Sequence, residues 1–179
     1  METDSQLMAR AVAGDTEAFG DLVRRHQSVV YRFLARRAGP HDASDLLADV
    51  WIAAFRSRHT FDLERESALP WIFGIARNVL RGHWRRSPVE TGPDIGSTDP
   101  WHQVDERLAA AETTRHLRGP VMALPEEQRE VLLLVAWEEL SPTQAGEVLG
   151  IPASTARSHL RRARLALRPR AEALNDPGV

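Results

Sequence analysis

Along most of the chain apolar residues recur every three to four positions, as on amphipathic helices, and no stretch shows the two-residue alternation or tight turns of a sheet. The pattern predicts a first short helix over about residues 6–13. Asp15 is placed to cap a long second helix carrying Phe19, Leu22, Val23, Val30, Phe33 and Leu34 inward, and Gly39-Pro40 stops it. A third helix follows "HDASD", with Leu46, Leu47, Val50, Trp51, Ala54 and Phe55 on one stripe. "RSRHTFDLERES" reads as a polar loop. A fourth helix starts at Pro70, where the missing N–H costs nothing, and runs to about Arg86 with Ile72, Ile75, Ala76 and Val79 inward.

The pattern then breaks. "SPVETGPDIGSTDP" combines Pro, Gly and small polar residues without apolar periodicity, and a linker is expected over residues 88–103. Beyond it the pattern predicts a helix over about residues 104–117, interrupted by Gly119-Pro120, and another in "LPEEQREVLLLVAWEEL" with Pro125 in its first turn and Glu126 and Glu127 favourably set against the helix dipole. In "LSPTQAGEVLG" Ser141 caps, Pro142 takes the first helical position, Gln144 completes a capping box and Gly150 ends the helix. A "GIP" turn and a last helix follow, which is the layout of a helix-turn-helix. The expected fold is all-α, two small helical domains at 1–87 and 104–179 joined by a flexible linker.

Composition adds to this picture. The chain has no cysteine, which removes disulfides, Cys-ligated zinc and thiol switches. No run reaches the length of a membrane span, and the N-terminus lacks the basic-then-apolar order of a secretory signal, so a cytoplasmic location is expected. All 23 basic residues are Arg, a bias that a GC-rich genome produces unaided; each is still a planar fork suited to phosphate and base edges.

The formal net charge is only −2, so any nucleic-acid contact must be local. Residues 151–170 carry six Arg and no acid, whereas residues 126–147 carry six acids and one Arg. In the last helix Ala156, Leu160, Ala163 and Leu167 form an apolar stripe, and Arg157, Arg161, Arg164 and Arg168 form a ridge about 100° round from it. A merely solvated face mixes signs to gain helical ion pairs. This one does not, and it points to DNA.

Taken together, "AGDTEAFGDLVRRHQSVVYRFLARR", "DASDLLADVWIAAF", "PWIFGIARNVLRGHWRR" and the helix-turn-helix block, in this order and spacing, resemble an extracytoplasmic-function (ECF) sigma factor of bacterial RNA polymerase. The resemblance implies a sigma-2 domain that binds core polymerase and recognises and melts the minus 10 element, and a sigma-4 domain that reads the minus 35 element. It implies polymerase contacts at Asp45, Leu46, Asp49 and Trp51, the alternative for Leu46 and Trp51 being plain core. It implies minus 10 contacts at Arg77, Asn78, Arg81 and Arg85, together with the loop residues His59, Thr60, Phe61 and Asp62. For minus 35 it implies Ser154, Thr155, Arg157, Ser158, Arg161 and Arg162. Core RNA polymerase and promoter DNA are the implied partners, with an anti-sigma factor commonly beside them, and no membrane insertion, cofactor or metal is expected. The chain departs from the family with Gln144-Ala145-Gly146 where Glu-Ile-Ala is usual and Ser154-Thr155-Ala156 where Gly-Thr-Val is usual, implying a thinner core there.

Two other classes of function remain open to the residues alone. A stand-alone helix-turn-helix regulator would bind duplex DNA without polymerase, usually as a two-fold dimer on a palindrome. An enzyme is disfavoured, because the chain has no His-Glu-x-x-His pair, no phosphate-cradling Gly-rich loop and no Gly-x-Ser-x-Gly elbow. His26, His83 and His159 read as surface or boundary residues.

Overall fold

A capping box starts the first helix, α1 (Asp4–Val12): the Thr3 hydroxyl accepts from the Gln6 N–H at 3.2 Å, and the Gln6 side chain accepts from the Thr3 N–H at 2.9 Å. The helix therefore begins ahead of the sequence expectation, and Thr3-x-x-Gln6 is the signal for it. The computed structural model describes residues 2–86 and 119–174, with side chains as far as residue 168, and every regular element in them is helical. The expected linker over 88–103 and the expected helix over 104–117 lie outside the described residues. The chain divides into two compact units, Met1–Val104 and Asp105–Val179.

Asp15 caps α2 (Thr16–Ser57) as expected, accepting from the N–H groups of Glu17 and Ala18. The helix breaks at Gly39, whose φ of 80° and ψ of 161° suit a residue without Cβ, and a second segment begins at once with Pro40 in its first turn. The break is where the sequence put it. The restart comes earlier than "HDASD", because Pro needs no N–H partner there. A short 3₁₀ turn, Arg58–Thr60, and the loop to residue 68 lead into α3 (Leu69–Arg86).

Leu22, Val30, Phe33, Leu34, Leu46 and Val50 of α2 pack with Leu7 and Met8 of α1 and with Ile72, Phe73, Ala76 and Leu80 of α3 to form the first core. Ile75 and Val79, expected inward, are only half-buried. At 100° per residue the buried stripe of α3 is centred between Ile72 and Phe73, which leaves Ile75 and Val79 on its flank. Phe73 instead meets Phe33 at 4.8 Å between ring centroids. Arg37, 4% exposed, lies over the other part of this cluster with its guanidinium 3.7 Å from the Phe33 ring centre.

The buried Asp4 ties the three helices together. One carboxylate oxygen accepts from Arg25 at 2.6 Å; the other accepts from His26 Nε2 and from the Ala68 N–H, both at 2.8 Å. Arg25 and His26 belong to α2, and Ala68 precedes α3. His26 is thus a correction to the sequence reading: it is 7% exposed and bonded to a buried carboxylate rather than at the surface. His83 does sit at a boundary, with Nε2 3.3 Å from Asp42. Burial pushes the Asp4 carboxyl upward, but the donors from His26, Ala68 and Arg25 outweigh it and hold its pKa at about 2.

In the second unit a helical turn at residues 119–122 leads to α4 (Glu126–Trp137), α5 (Pro142–Leu149) and α6 (Ala153–Leu174). Pro125 stands at the N-cap of α4, one position before its expected place, with Glu126 and Glu127 in the first turn. The Ser141–Gln144 capping box forms in both directions, at 3.2 and 2.8 Å. Gly150 ends α5 in the left-handed region at φ 70°, and the Ile151 N–H closes back on the Gly146 carbonyl at 2.9 Å, a Schellman stop. Val131, Leu133, Leu134, Ala145, Val148, Ala156, Leu160 and Ala163 make the core. Among the described residues no helix is long and apolar enough to cross a membrane.

Removing the Asp4 carboxylate leaves the Ala68 N–H and the His26 ring without their partner, so Asp4→Ala is expected to cost about 2–3 kcal/mol at neutral pH. Because the folded pKa lies below the unfolded 3.8, this contribution is complete above that value and fades as the pH falls through about 2. Urea unfolding of both proteins at pH 7 and at pH 2.5 checks it: the gap between them should be wide at the first and narrow at the second.

Candidate nucleic-acid interfaces

The helix-turn-helix depends on how closely α5 can approach α6. A Cβ on Gly146 would come to 2.9 Å from the Ile151 carbonyl oxygen and 3.3 Å from the Ala156 Cβ. Ala145 and Ala156 are fully buried beside it. Three small side chains thus let the turn fold tightly over the start of α6, which fixes the angle at which α6 leaves the domain.

On α6 the stripe of Ala156, Leu160 and Ala163 faces inward, and Arg157, Arg161, Arg162, Arg164 and Arg168 are exposed. The predicted minus 35 residues fall on two sides of the outer face. Arg157 and Arg161 border a shallow groove of about 550 Å³ with Arg164, Arg168, Leu165 and Pro142. Ser154, Ser158 and Arg162 follow one another at four-residue spacing on the other side, with Ser158 and Thr155 half-buried. His159 is half-buried too, and its Nδ1 has no hydrogen-bond partner.

In the first unit, Asn78, Arg81 and Arg85 are exposed on α3 and Arg77 is half-buried. Between Pro70 and Arg86 the helix carries no acid. The loop of residues 59–62 lies against the same helix: Trp71 Nε1 donates to the Thr60 hydroxyl at 3.3 Å, and the Phe61 ring meets Trp71 edge-on at 5.7 Å. Trp71 and Asn78 are seven residues apart, hence on one face of α3 and about 10 Å apart along it. Phe61, predicted as a contact, is 6% exposed and serves as the loop's apolar anchor. His59 and Asp62 are exposed. Asp62 accepts from the Glu64 N–H and from Arg65, which closes a local turn and lowers its pKa.

Of the four predicted polymerase residues, Asp45 and Asp49 are exposed, and Leu46 is 3% exposed. Leu46 thus lies in the core, the alternative named for it from the sequence. Trp51 is half-buried, edge-on to Phe19 at 6.3 Å between ring centroids, with its indole N–H unpartnered. The sequence assigns Asp49 and Asn78 to different partners, yet the structure brings them to one groove of about 620 Å³ between α2 and α3, with Ile52, Arg56 and Arg86. Sequence reasoning missed Ile52, 50% exposed there. Its only signal is an apolar residue standing off the inner stripe.

Comparison with known proteins decides what these faces belong to. The family Sigma-70 region 2 matches residues 22–87, and Sigma-70, region 4 matches residues 121–167. The ECF RNA polymerase sigma factor SigM of Mycobacterium tuberculosis (strain ATCC 25618 / H37Rv) is 31% identical over 167 residues, covering 92% of this chain and 83% of its own. The chain belongs to the ECF RNA polymerase sigma factors. As an alternative sigma factor it directs RNA polymerase to promoters and serves in transcription initiation. Among solved structures, this sigma factor is similar to CnrH in its complex with the cytosolic domain of CnrY, with 28% identity, a TM-score of 0.66, and 96% of this chain and 99% of that one covered. The sigma factor RpoE, crystallised with the anti-sigma factor NepR from Bartonella quintana, shares the fold at 21% identity and a TM-score of 0.57, with 86% and 96% covered.

Ala is the better helix former by about 1 kcal/mol. In this sigma factor Gly146→Ala is nevertheless expected to destabilise the second unit by about 1–3 kcal/mol, since the Cβ meets a backbone oxygen that cannot rotate away. Thermal melting followed by circular dichroism checks the sign.

Proposed function

We propose that the first unit binds core polymerase and opens the minus 10 element, and that the second reads the minus 35 element. The observation that carries this is the presence of two separate cationic faces, one on each unit: acid-free α3 with an exposed Asn beside a loop, and the arginine-rich outer face of α6. Asp45 and Asp49 would pair with basic groups on the polymerase, and Trp51 would meet it with its half-buried edge. Asn78 offers two donors and an acceptor to the exposed edge of an extruded base, while Arg77, Arg81 and Arg85 track the strand. His59, Thr60 and Asp62 form the opposite wall, which Phe61 supports from beneath. On α6, Arg157, Arg161 and Arg162 with Ser154, Thr155 and Ser158 read base edges and phosphates.

This reading assigns the chain no reaction of its own. The energy for opening comes from binding an unpaired strand better than the duplex. Its place of action is the cytoplasm, where polymerase and promoters are. A polypeptide regulator of the anti-sigma kind is a further partner on this reading; CnrH, a structural neighbour, is solved with the cytosolic domain of CnrY.

Transcription in vitro by purified core polymerase, on a DNA pool randomised over both promoter elements, tests the reading against a stand-alone regulator. Enrichment of a two-part sequence only when the chain is added supports it. Binding of the free chain to a palindrome, with no effect on initiation, would refute it.

Asn78→Ala is expected to leave core affinity and minus 35 preference nearly unchanged while lowering open-complex formation about tenfold or more, read by permanganate reactivity of the melted strand. Arg161→Ala and Arg162→Ala separate two roles. Loss of a base contact costs about 1–3 kcal/mol at one minus 35 position, whereas loss of a phosphate contact weakens all sequences alike and reduces the salt slope by about one.

A further inference from the structure

We infer that α1 is a positioning element for minus 10 recognition, with Ser5 and Asp4 as positioning residues that hold the loop between Arg58 and Ala68 in one shape. The inference rests on the proposed reading of that loop as a wall of the base pocket.

Three hydrogen bonds join α1 to this segment. Arg58 Nε donates to the Ala11 carbonyl at 3.1 Å, the Ser5 hydroxyl donates to the Leu63 carbonyl at 2.5 Å, and the Ala68 N–H donates to Asp4 at 2.8 Å. They fall at the beginning, the middle and the end of the loop.

The two halves of the loop are held differently. The first half has the 3₁₀ turn and the buried Phe61 ring against Trp71. Residues 62–66 are all exposed, including Leu63 at 44%, so none of them is a core anchor as Phe61 is. The Asp62 turn and the two bonds to Ser5 and Asp4 are among the contacts that hold this half. An exposed run held by few contacts opens easily, and a wall that samples several shapes discriminates poorly between bases. Asp4 is itself held by Arg25 and His26, so the constraint passes from the core of the unit to the loop through one carboxylate.

The test uses holoenzyme assembled from core polymerase and each full-length variant, transcribing the randomised promoter pool at a temperature where circular dichroism shows wild-type helix content. Ser5→Ala removes one hydroxyl from a half-buried side chain outside the core. It is expected to lower base preference at one minus 10 position about three- to tenfold, the worth of one hydrogen bond, with core affinity and minus 35 preference unchanged. Ser5→Thr keeps the hydroxyl and should restore the preference. Asp4→Asn should act in the same direction where it remains folded; where it does not, the Ser5 pair decides alone.

A loop variant, Thr60→Ala with Asp62→Ala, tells the two ideas apart. If it flattens minus 10 preference while Ser5→Ala behaves as wild type, the positioning role is wrong and the loop reading stands. If neither changes the preference, the loop reading fails and the inference with it. A Ser5→Ala protein that loses minus 10 and minus 35 preference in equal proportion shows general destabilisation, which also overturns it.

Discussion

A buried carboxylate must find donors or lose its charge, and Asp4 finds three. The donors come from two positions of α2 and from the backbone just before α3, so a single group closes the angles among three helices. Apolar packing alone is non-directional and would tolerate sliding of these helices. The arrangement of charge does not. Because the Ala68 N–H is one of the donors, the start of α3 is fixed by the same interaction, and with it the register of every residue on that helix, Asn78 included.

The helical periodicity and the caps made most of the fold legible. Asp15, Gly39-Pro40, Ser141 with Gln144, and Gly150 each act through a local backbone rule that needs no knowledge of the partner helix, and each does in the structure what the rule says. The inward faces were legible only to within about one residue's rotation. Ile75 and Val79 fit a helical stripe as well as Phe73 and Leu80 do, and the packing partners on α2, Phe33 among them, select between them. Asp4 with His26 was not legible at all. Their partnership spans 22 residues, and an acid near a chain start ordinarily lies in solvent.

The candidate sites divide in the same way. The outer arginines of α6 followed directly from periodicity, because exposure is decided by the helix itself. Leu46 and Phe61 matched the family's surface by position, yet both are buried, since an apolar side chain flanking a contact is also the natural support for it. The groove shared by Asp49, Ile52 and Asn78 needs two helices in register and has no sequence signature. Charge adds a further asymmetry. On the proposed reading, the guanidinium forks of α6 make its binding to DNA answer to salt.

The ridge on α6 also has a length. Arg157 and Arg168 are eleven residues apart, about 16 Å along the helix, which matches roughly five base pairs of duplex. A word of five letters recurs by chance about once in a thousand positions, and a genome offers on the order of a million or more. Such a helix is poor in information however well it binds. Selecting a single gene requires a second short word, and probabilities multiply when two words are read in one event. On the proposed reading, a chain with one cationic face on each of two units is suited to that multiplication, so vocabulary rather than affinity sets the need for both.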